Sequence, residues 1–380
     1  MSVPFFLHDL GHAELDAIAE VFAGPLLTTG ETVALFERRF ADLLGCRHAL
    51  GLTSCTGALH LSLLALGIRP GDEVITTPMT FVATAAAILE AGAKPVFVDV
   101  EPDTALIDVK QIAAAITPRT RAILPVHLYG QMCDMRAIQS LAKQHGLHVI
   151  EDAAHCIEGM RDGARPGELG DTACFSFYAT KNITCGEGGA VTTNDEVLAA
   201  KLRLLRLHGV TKTASDRMRE GYSHWDMTVL GWKYNLDNIH AAILLPQLDR
   251  LEANWQKRAE LAKRYEELLA DVPEVTRPGT LVGGRHAWHL FPVWVPAALR
   301  DAVLNGLQKK GIGVVVNYRA IHLLTFFREQ FGYRPGDFRV AERIGAGTMS
   351  LPLYPSMRME QVDEVVEALK DVIRCQSCQL

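Results

Sequence analysis

The sequence predicts an α/β fold, a large and mainly parallel sheet sandwiched by helices with a smaller α+β unit after it. Three observations carry this expectation. Between about residues 48 and 193, short β-rich apolar runs alternate with helical stretches, and such strand–helix–strand alternation belongs to parallel sheets covered on both faces. Several of the helical stretches end in Gly, the usual stop at a helix C-terminus. Beyond about residue 272 the pattern turns to mixed strands and helices. At about 150 residues per domain, a chain of 380 residues holds about two to three domains. The expected division is 1–250, a large α/β unit that includes the N-terminal segment, and 251–380, a small α+β unit.

In chain order, the expected strands are HALGLT (48–53), EVITT (73–77), PVFVDV (95–100), AILPVHL (122–128), HVIEDA (148–153), ACFSFY (173–178) and AVTT (190–193). The helical stretches TGALHLSLLALG, FVATAAAILEAG and MRAIQSLAKQHG lie between them. A long helical pattern starts at Asn238, and Pro246 within it should kink or split it. Next come two strands, HLFPVWV and GVVVNY, and two helices, AALRDAVLNGLQKKG and MEQVDEVVEALKDVI.

Composition narrows the function classes. The chain is 48% apolar and 22% charged, which excludes a disordered or fibrous protein. A net charge of −6, from 44 acids against 38 bases, gives no electrostatic footprint for nucleic acid. Apolar runs break before the ~18 residues that a membrane helix needs. The N-terminus lacks a basic stretch followed by a long apolar core, so no signal peptide is expected and the expected location is cytoplasmic. The eight cysteines sit mostly in apolar contexts and are expected to be free thiols. Cys375 and Cys378 form a close pair, but no second Cys or His pair accompanies them to complete a metal site, and a frayed tail is expected there.

Three segments carry candidate chemistry. Ser54 to Leu59, SCTGAL, follows a strand and opens a helix, where small residues and free amides favour a phosphate; taken alone, the segment reads first as a plain Ser or Thr cap. It is neither a Walker loop nor a G-x-G-x-x-G turn. Asp152, in HVIEDAAH, closes an apolar strand, where ligands bind in open α/β sheets. It can cap a helix over AAHCIEG or face a cationic ring. Lys181 ends the aromatic strand of CFSFYATKNITCGEGG and precedes a Gly-rich turn. Low dielectric disfavours its charge, and a neutral amine can form a Schiff base; a Lys with its charge in solvent is the plain alternative. Ser176, on the same strand, offers a hydroxyl to a phosphate. Phosphate cradle, acid and amine together are what pyridoxal phosphate requires. Phe81 adds an aromatic face that could equally be core.

At this point the chain resembles the DegT-type sugar-nucleotide aminotransferases, within the aspartate-aminotransferase-like fold of pyridoxal-phosphate enzymes. The resemblance runs nearly end to end, through SCTGALHLSLLALGIRPGDEVITTPMTFVAT, IEDAAH, FSFYATKNITCGEGG and GWKYNLDNIHAAI. GWKYNL and HAWHLF with GIGVVVNYRAIH look most like the branch that makes UDP-4-amino-4-deoxy-L-arabinose. The resemblance implies that Lys181 carries the cofactor Schiff base and shuttles protons. It implies that Asp152 keeps the pyridine nitrogen protonated, that His155 lies near the ring hydroxyl and that Phe81 stacks on the ring. Thr56, Gly57 and Ser176 would hold the phosphate, while Lys233 and Asn235 would reach the cofactor of a second subunit in a homodimer. The expected reaction is transfer of an amino group, with glutamate as donor, to a keto group on a nucleotide-linked sugar.

Lys233-Tyr234-Asn235 departs from the more common Asn-Tyr-Arg, a departure shared with the arabinose branch. Gly57, Trp232 and Asp237 also differ from the usual residues without removing chemistry. A dehydratase offshoot replaces the lysine by His, so Lys181 favours transamination. The alternatives are a sugar dehydratase, an aminotransferase acting on another ketone such as a cyclitol, and a non-catalytic regulatory subunit.

Overall fold

Seven strands form one sheet in the order β1-β7-β6-β5-β4-β2-β3 in the computed structural model, which describes residues 3–212, 216 and 224–377. The strands are β1 His48–Leu52, β2 Glu73–Thr76, β3 Lys94–Phe97, β4 Thr120–Ile123, β5 His148–Asp152, β6 Thr172–Ser176 and β7 Gly189–Thr193. Strands β3, β2, β4, β5 and β6 run parallel, and only β7 runs antiparallel to its neighbours β6 and β1. Every residue of β2 and β7 is buried, so neither strand alternates between a core face and a solvent face.

Before the sheet come α1 His12–Ala23 and α2 Glu31–Leu44. Between the strands run α3 Cys55–Ala65, α4 Val82–Glu90, α5 Val109–Ala115 and α6 Met135–His145, and α7 Glu196–Leu205 follows β7. The stop signals act as the sequence suggests. Gly146 caps α6 in the left-handed region at φ 64°, where a Cβ would be strained. Ser54, Asp134 and Asp195 each accept a first-turn amide at the start of α3, α6 and α7.

The long helical pattern from Asn238 divides into α8 Asn238–Asp249 and α9 Leu251–Leu269. The break falls at Arg250 (φ −106°, ψ 6°), with Pro246 inside α8. There the Arg250 guanidinium bonds Glu14 Oε1 at 2.6 Å and Asp9 Oδ2 at 3.0 Å, tying the turn to the N-terminal segment. The remainder comprises β8 Phe291–Trp294, α10 Ala297–Lys309, α11 Thr325–Phe331, α12 Arg339–Gly347, β9 Thr348–Leu351 and α13 Met359–Ser377. β8 and β9 pair antiparallel.

GVVVNY is not a strand: it makes one isolated bridge, Val315 to Ser350. β-propensity expects a ladder there, but its pairing with β9 stops at that one bridge, while β8 and β9 pair along their whole length. The expected frayed tail is also corrected. The chain is helical through Ser377, and Cys375 stands exposed on that helix, while Cys378 lies outside the described residues. Cys46, Cys55, Cys133, Cys156, Cys174 and Cys185 are buried free thiols.

The second core gathers Leu261 and Tyr265 of α9, Val303 and Leu307 of α10, and Val365 and Leu369 of α13. Val3 packs in this core and bridges Ile312, so the N-terminal segment at Val3 lies against the C-terminal third of the chain. No helix among the described residues is long and apolar enough to cross a membrane.

Alternation along β5 turns its two acids to opposite faces. Glu151 is fully buried, accepting from the amides of Gly167 and Gly170 and facing His127 Nε2 at 2.8 Å. The Cys133 N–H fills His127 Nδ1, so His127 is neutral and donates to Glu151. Asp152 is thereby left for the other side.

The first turn of α3 lies directly on β7. A Cβ at Gly189 would sit 2.4 Å from the Ser54 carbonyl carbon and 2.5 Å from the Cys55 nitrogen. Gly189→Ala therefore forces the two backbones apart. It should lower stability by about 1–3 kcal/mol, seen as a lower urea midpoint with an unchanged slope.

Candidate active site

A cavity of about 500 Å³ opens at the carboxyl ends of the parallel strands, where open α/β sheets bind ligands. Its lining includes Ser54 and Thr56 after β1, Phe81 after β2, Asp152 and His155 after β5, and Ser176 at the end of β6. Lys181 enters from the loop between β6 and β7, and His289 and Tyr318 close it from the C-terminal third. The strands all run the same way, so residues from 54 to 181 converge although the chain separates them widely.

The loop that carries Lys181 is tied at both ends. Phe177 N–H donates to the Gly188 carbonyl at 2.9 Å and Thr184 Oγ1 donates to the Phe177 carbonyl at 3.1 Å. Gln247 of α8 clamps Thr184, accepting its N–H at 3.0 Å and donating to its carbonyl at 2.7 Å. Burial pushes the Lys181 amine down to about 8, while Cys55 and Asp152 pull it the other way. No ion pair joins Asp152 to Lys181 among the described residues. A lysine in this setting is a neutral nucleophile over part of the physiological range.

Asp152 is buried, and no helix follows it, so it is not the helix cap that its sequence allows. Its Oδ1 accepts the Ala154 N–H at 3.2 Å and its Oδ2 accepts the Thr84 hydroxyl at 2.7 Å, with Thr80 Oγ1 2.7 Å behind Thr84. Burial raises its carboxyl above the ordinary range, and Thr84, Ala154 and the Lys181 amine oppose the rise. A cation placed against it would offset the burial cost.

His155 is buried and neutral. The Tyr129 N–H donates to its Nδ1 at 3.2 Å, so the ring proton sits on Nε2, 3.1 Å from Tyr318 Oη. Desolvation and Lys181 both keep its pKa well below the usual value. Phe81, 57% exposed at the start of α4, holds its ring 5.8 Å from that of Tyr318 at 44°. Ser176 Oγ accepts the Tyr178 N–H at 3.3 Å, which leaves its own proton to donate.

Three expected residues do not line the cavity. The Gly57 N–H goes to Ser54 Oγ at 3.0 Å, and a Cβ there would lie 3.1 Å from the Tyr234 ring. Lys233 Nζ donates to Asn235 Oδ1 at 2.7 Å, and Asn235 Nδ2 donates to Thr29 Oγ1 at 2.6 Å. Asn235 bridges Leu52, so this segment runs along the end of β1. His289, Tyr318, Thr84 and Gln247 escaped the reading of the sequence. HAWHLF and NYRAIH stood out only as segments of resemblance, and no spacing signals partners that lie 63 to 163 residues away.

The donor set suits pyridoxal phosphate. A helix start leaves its first amides without intrahelical acceptors, and here Thr56 and Ser176 add hydroxyls beside them. The buried Asp152 carboxylate lacks a cation, and a pyridinium nitrogen would supply one. Lys181 supplies an amine with a lowered pKa for the aldehyde. Competitive acylation of cofactor-free protein, read by peptide mass, should label Lys181 more as pH rises, half-maximally near pH 8. A midpoint above pH 10, the value of an exposed lysine, would refute the burial effect.

The comparisons agree with this geometry. A family model described as the DegT/DnrJ/EryC1/StrS aminotransferase family matches residues 8–370. Spore coat polysaccharide biosynthesis protein SpsC of Bacillus subtilis is 42% identical over 378 residues, covering 98% of this chain and 97% of that one. The structure of Helicobacter pylori PseC, an aminotransferase involved in the biosynthesis of pseudoaminic acid, superposes with a TM-score of 0.92 at 30% identity, covering 99% of this chain and 100% of that one. The PMP form of the putative sugar aminotransferase Spr1654 of Streptococcus pneumoniae gives 0.92 at 29% identity, covering 97% and 98%. The chain belongs to the DegT/DnrJ/EryC1/StrS aminotransferase family and is a pyridoxal-phosphate-dependent transaminase.

Proposed function

We propose that this enzyme transfers an amino group from glutamate to a keto carbon of a nucleotide-linked sugar, with a UDP-4-ketosugar as the preferred substrate. The observation that carries the chemistry is Lys181 and Asp152 facing one cavity with hydroxyls and a helix start at its edge. Sugar chemistry is supported by two relatives: SpsC is a spore coat polysaccharide biosynthesis protein, and PseC is an aminotransferase involved in the biosynthesis of pseudoaminic acid. An exposed aromatic rim, Phe81 at 57% and Tyr178 at 47%, supports a ring-bearing substrate.

Bound pyridoxal phosphate supplies an aldehyde that takes up the amino group and a conjugated ring that withdraws electrons from the neighbouring carbon. In this reading Thr56 and Ser176 hold the phosphate with the start of α3, to which Gly57 belongs. Asp152 keeps the ring nitrogen protonated, oriented for this by Thr84 and the Ala154 amide. His155, neutral with its outward proton on Nε2, lies by the ring hydroxyl, and Phe81 covers one face. Lys181 Nζ would serve as the base that removes a proton and the acid that returns one in each half-reaction. Its pKa near 8 suits an amine that must both accept and give a proton near neutrality.

The substrate test is incubation of the purified enzyme with glutamate and a panel of UDP- and dTDP-linked 4-ketosugars, with products identified by mass. The expected product is the 4-amino sugar on UDP. Amination of a free cyclitol ketone, or loss of water without amine gain, would overturn the reading.

The unit of activity in this reading is a two-fold homodimer in which Lys233 and Asn235 reach the cofactor phosphate of the other subunit. Lys233 lies away from its own chain's cavity lining and is held by Asn235, which supports that reading. Mixed Lys181→Ala and Lys233→Ala subunits should form heterodimers in which one site carries both defects and the other carries neither. Activity should rise above that of either parent. Confirmed subunit exchange with no recovery would mean that Lys233 serves its own chain.

A further inference from the structure

Behind Lys181 lies a chain of polar contacts that the transamination reading leaves unused. His289 Nε2 is 3.4 Å from Lys181 Nζ. His289 Nδ1 is 3.1 Å from Asn182 Oδ1. The amide of Asn182 has one possible orientation, because its nitrogen meets two acceptors, Glu158 Oε2 at 2.7 Å and the Ala287 carbonyl at 3.1 Å. Its oxygen must therefore accept, and His289 must carry its proton on Nδ1. That leaves Nε2 bare and turned towards the lysine. Glu158 is fixed in turn by Arg258 of α9, and both side chains are 2% exposed.

The backbone is bent to deliver this ring. Trp288, just before His289, sits at φ 49°, a region that a bulky residue rarely adopts. Hydrogen bonds on either side impose the bend: Ala287 N–H to the Gly130 carbonyl at 2.7 Å and Leu290 N–H to the Tyr129 carbonyl at 3.2 Å. Strain held in place next to a cavity residue points to a function for that residue.

We infer that His289 is a positioning residue for Lys181: the Glu158–Asn182 pair fixes it as the Nδ1–H tautomer, and its bare Nε2 accepts the hydrogen bond that aims the free amine. The inference rests on the assignment of Lys181 as the proton-transferring amine. The ring stays neutral because burial, first of all, and the nearby cationic groups Lys181 and Arg258 oppose its protonation. An imidazolium would have two donors and no acceptor for the lysine. Lys181 itself faces Asp152 from the end of β5 and Cys55 from the start of α3, which favour its charge. The His289 acceptor adds to that side.

The test begins with borohydride reduction of the holoenzyme. A pyridoxyl group on any peptide other than that of Lys181 would remove the underlying assignment, and the inference with it. With Lys181 labelled, His289→Phe keeps a ring against His155 but offers no acceptor. Its kcat should fall by about 10²-fold, the cost of a misplaced group, with the donor KM little changed. In cofactor-free protein, the acylation midpoint of Lys181 should move to lower pH. His289→Gln, whose amide oxygen can replace Nε2, should recover most of both. Asn182→Leu should act in the same direction more weakly, and adding it to His289→Phe should cost nothing more. If Lys181 is labelled but His289→Phe keeps its kcat and midpoint, His289 is packing only. Equal losses in the Phe and Gln variants would overturn the acceptor role too. Should His289→Phe fail to fold, an Asn182→Leu midpoint equal to wild type overturns the inference by itself.

Discussion

The buried pair of Arg258 and Glu158 is the constraint on which the site's geometry depends. Removing two charges from water costs several kcal/mol per ion, and mutual attraction repays this only with good geometry and further hydrogen bonds. Glu158 obtains such a bond from Asn182, whereas Arg258 leaves Nε and Nη1 without partners. The nearby Arg285 cation also pulls the Arg258 pKa down and is itself held against the Trp255 ring at 3.6 Å. A pair with that much unrepaid cost is poor evidence for stability. Its location is more informative: Arg258 is on α9, which also carries residues of the second core, and Glu158 follows β5 of the main sheet. The pair thus fixes the two parts of the chain to each other beside Lys181.

The sheet solves a related problem at its carboxyl edge. Parallel strands buried on both faces have no room for polar side chains except at their ends. β5 ends in two acids, and alternation gives each a separate environment. Glu151 is absorbed by His127 and two backbone amides and anchors the loop around Gly167. Asp152 receives one hydroxyl and one amide, too few to settle a buried carboxylate. The lysine opposite is held by a loop tied to α8 and has no carboxylate of its own. Two groups left short of partners across one cavity form a site prepared for a cofactor that carries both an acidic ring nitrogen and an aldehyde.

Much of the fold was legible in order along the chain, because it rests on local rules. The seven main strands, the glycine stops and the Ser54 start of α3 follow from periodicity and capping chemistry. Where local rules mislead, a distant partner decides. GVVVNY has strand propensity, but it meets β9 at a single bridge, Val315 to Ser350. The long helix breaks at Arg250, where Asp9 and Glu14 wait for the guanidinium, and not at Pro246. The residues after Asp152 do not form the helix that the acid could have capped.

The sequence by itself determined the fold class and the residue types needed for pyridoxal chemistry. Asp152, Ser176 and Lys181 each sit at or just beyond the end of an apolar strand, and parallel strands bring such ends to one edge. Only the tertiary structure decided what surrounds them. His289 reaches Lys181 from 108 residues away, Gln247 clamps its loop from α8, and the tautomer of His289 depends on an amide fixed by two further residues. Hydrogen-bond direction is a property of three-dimensional neighbours, and no periodicity along a chain encodes it.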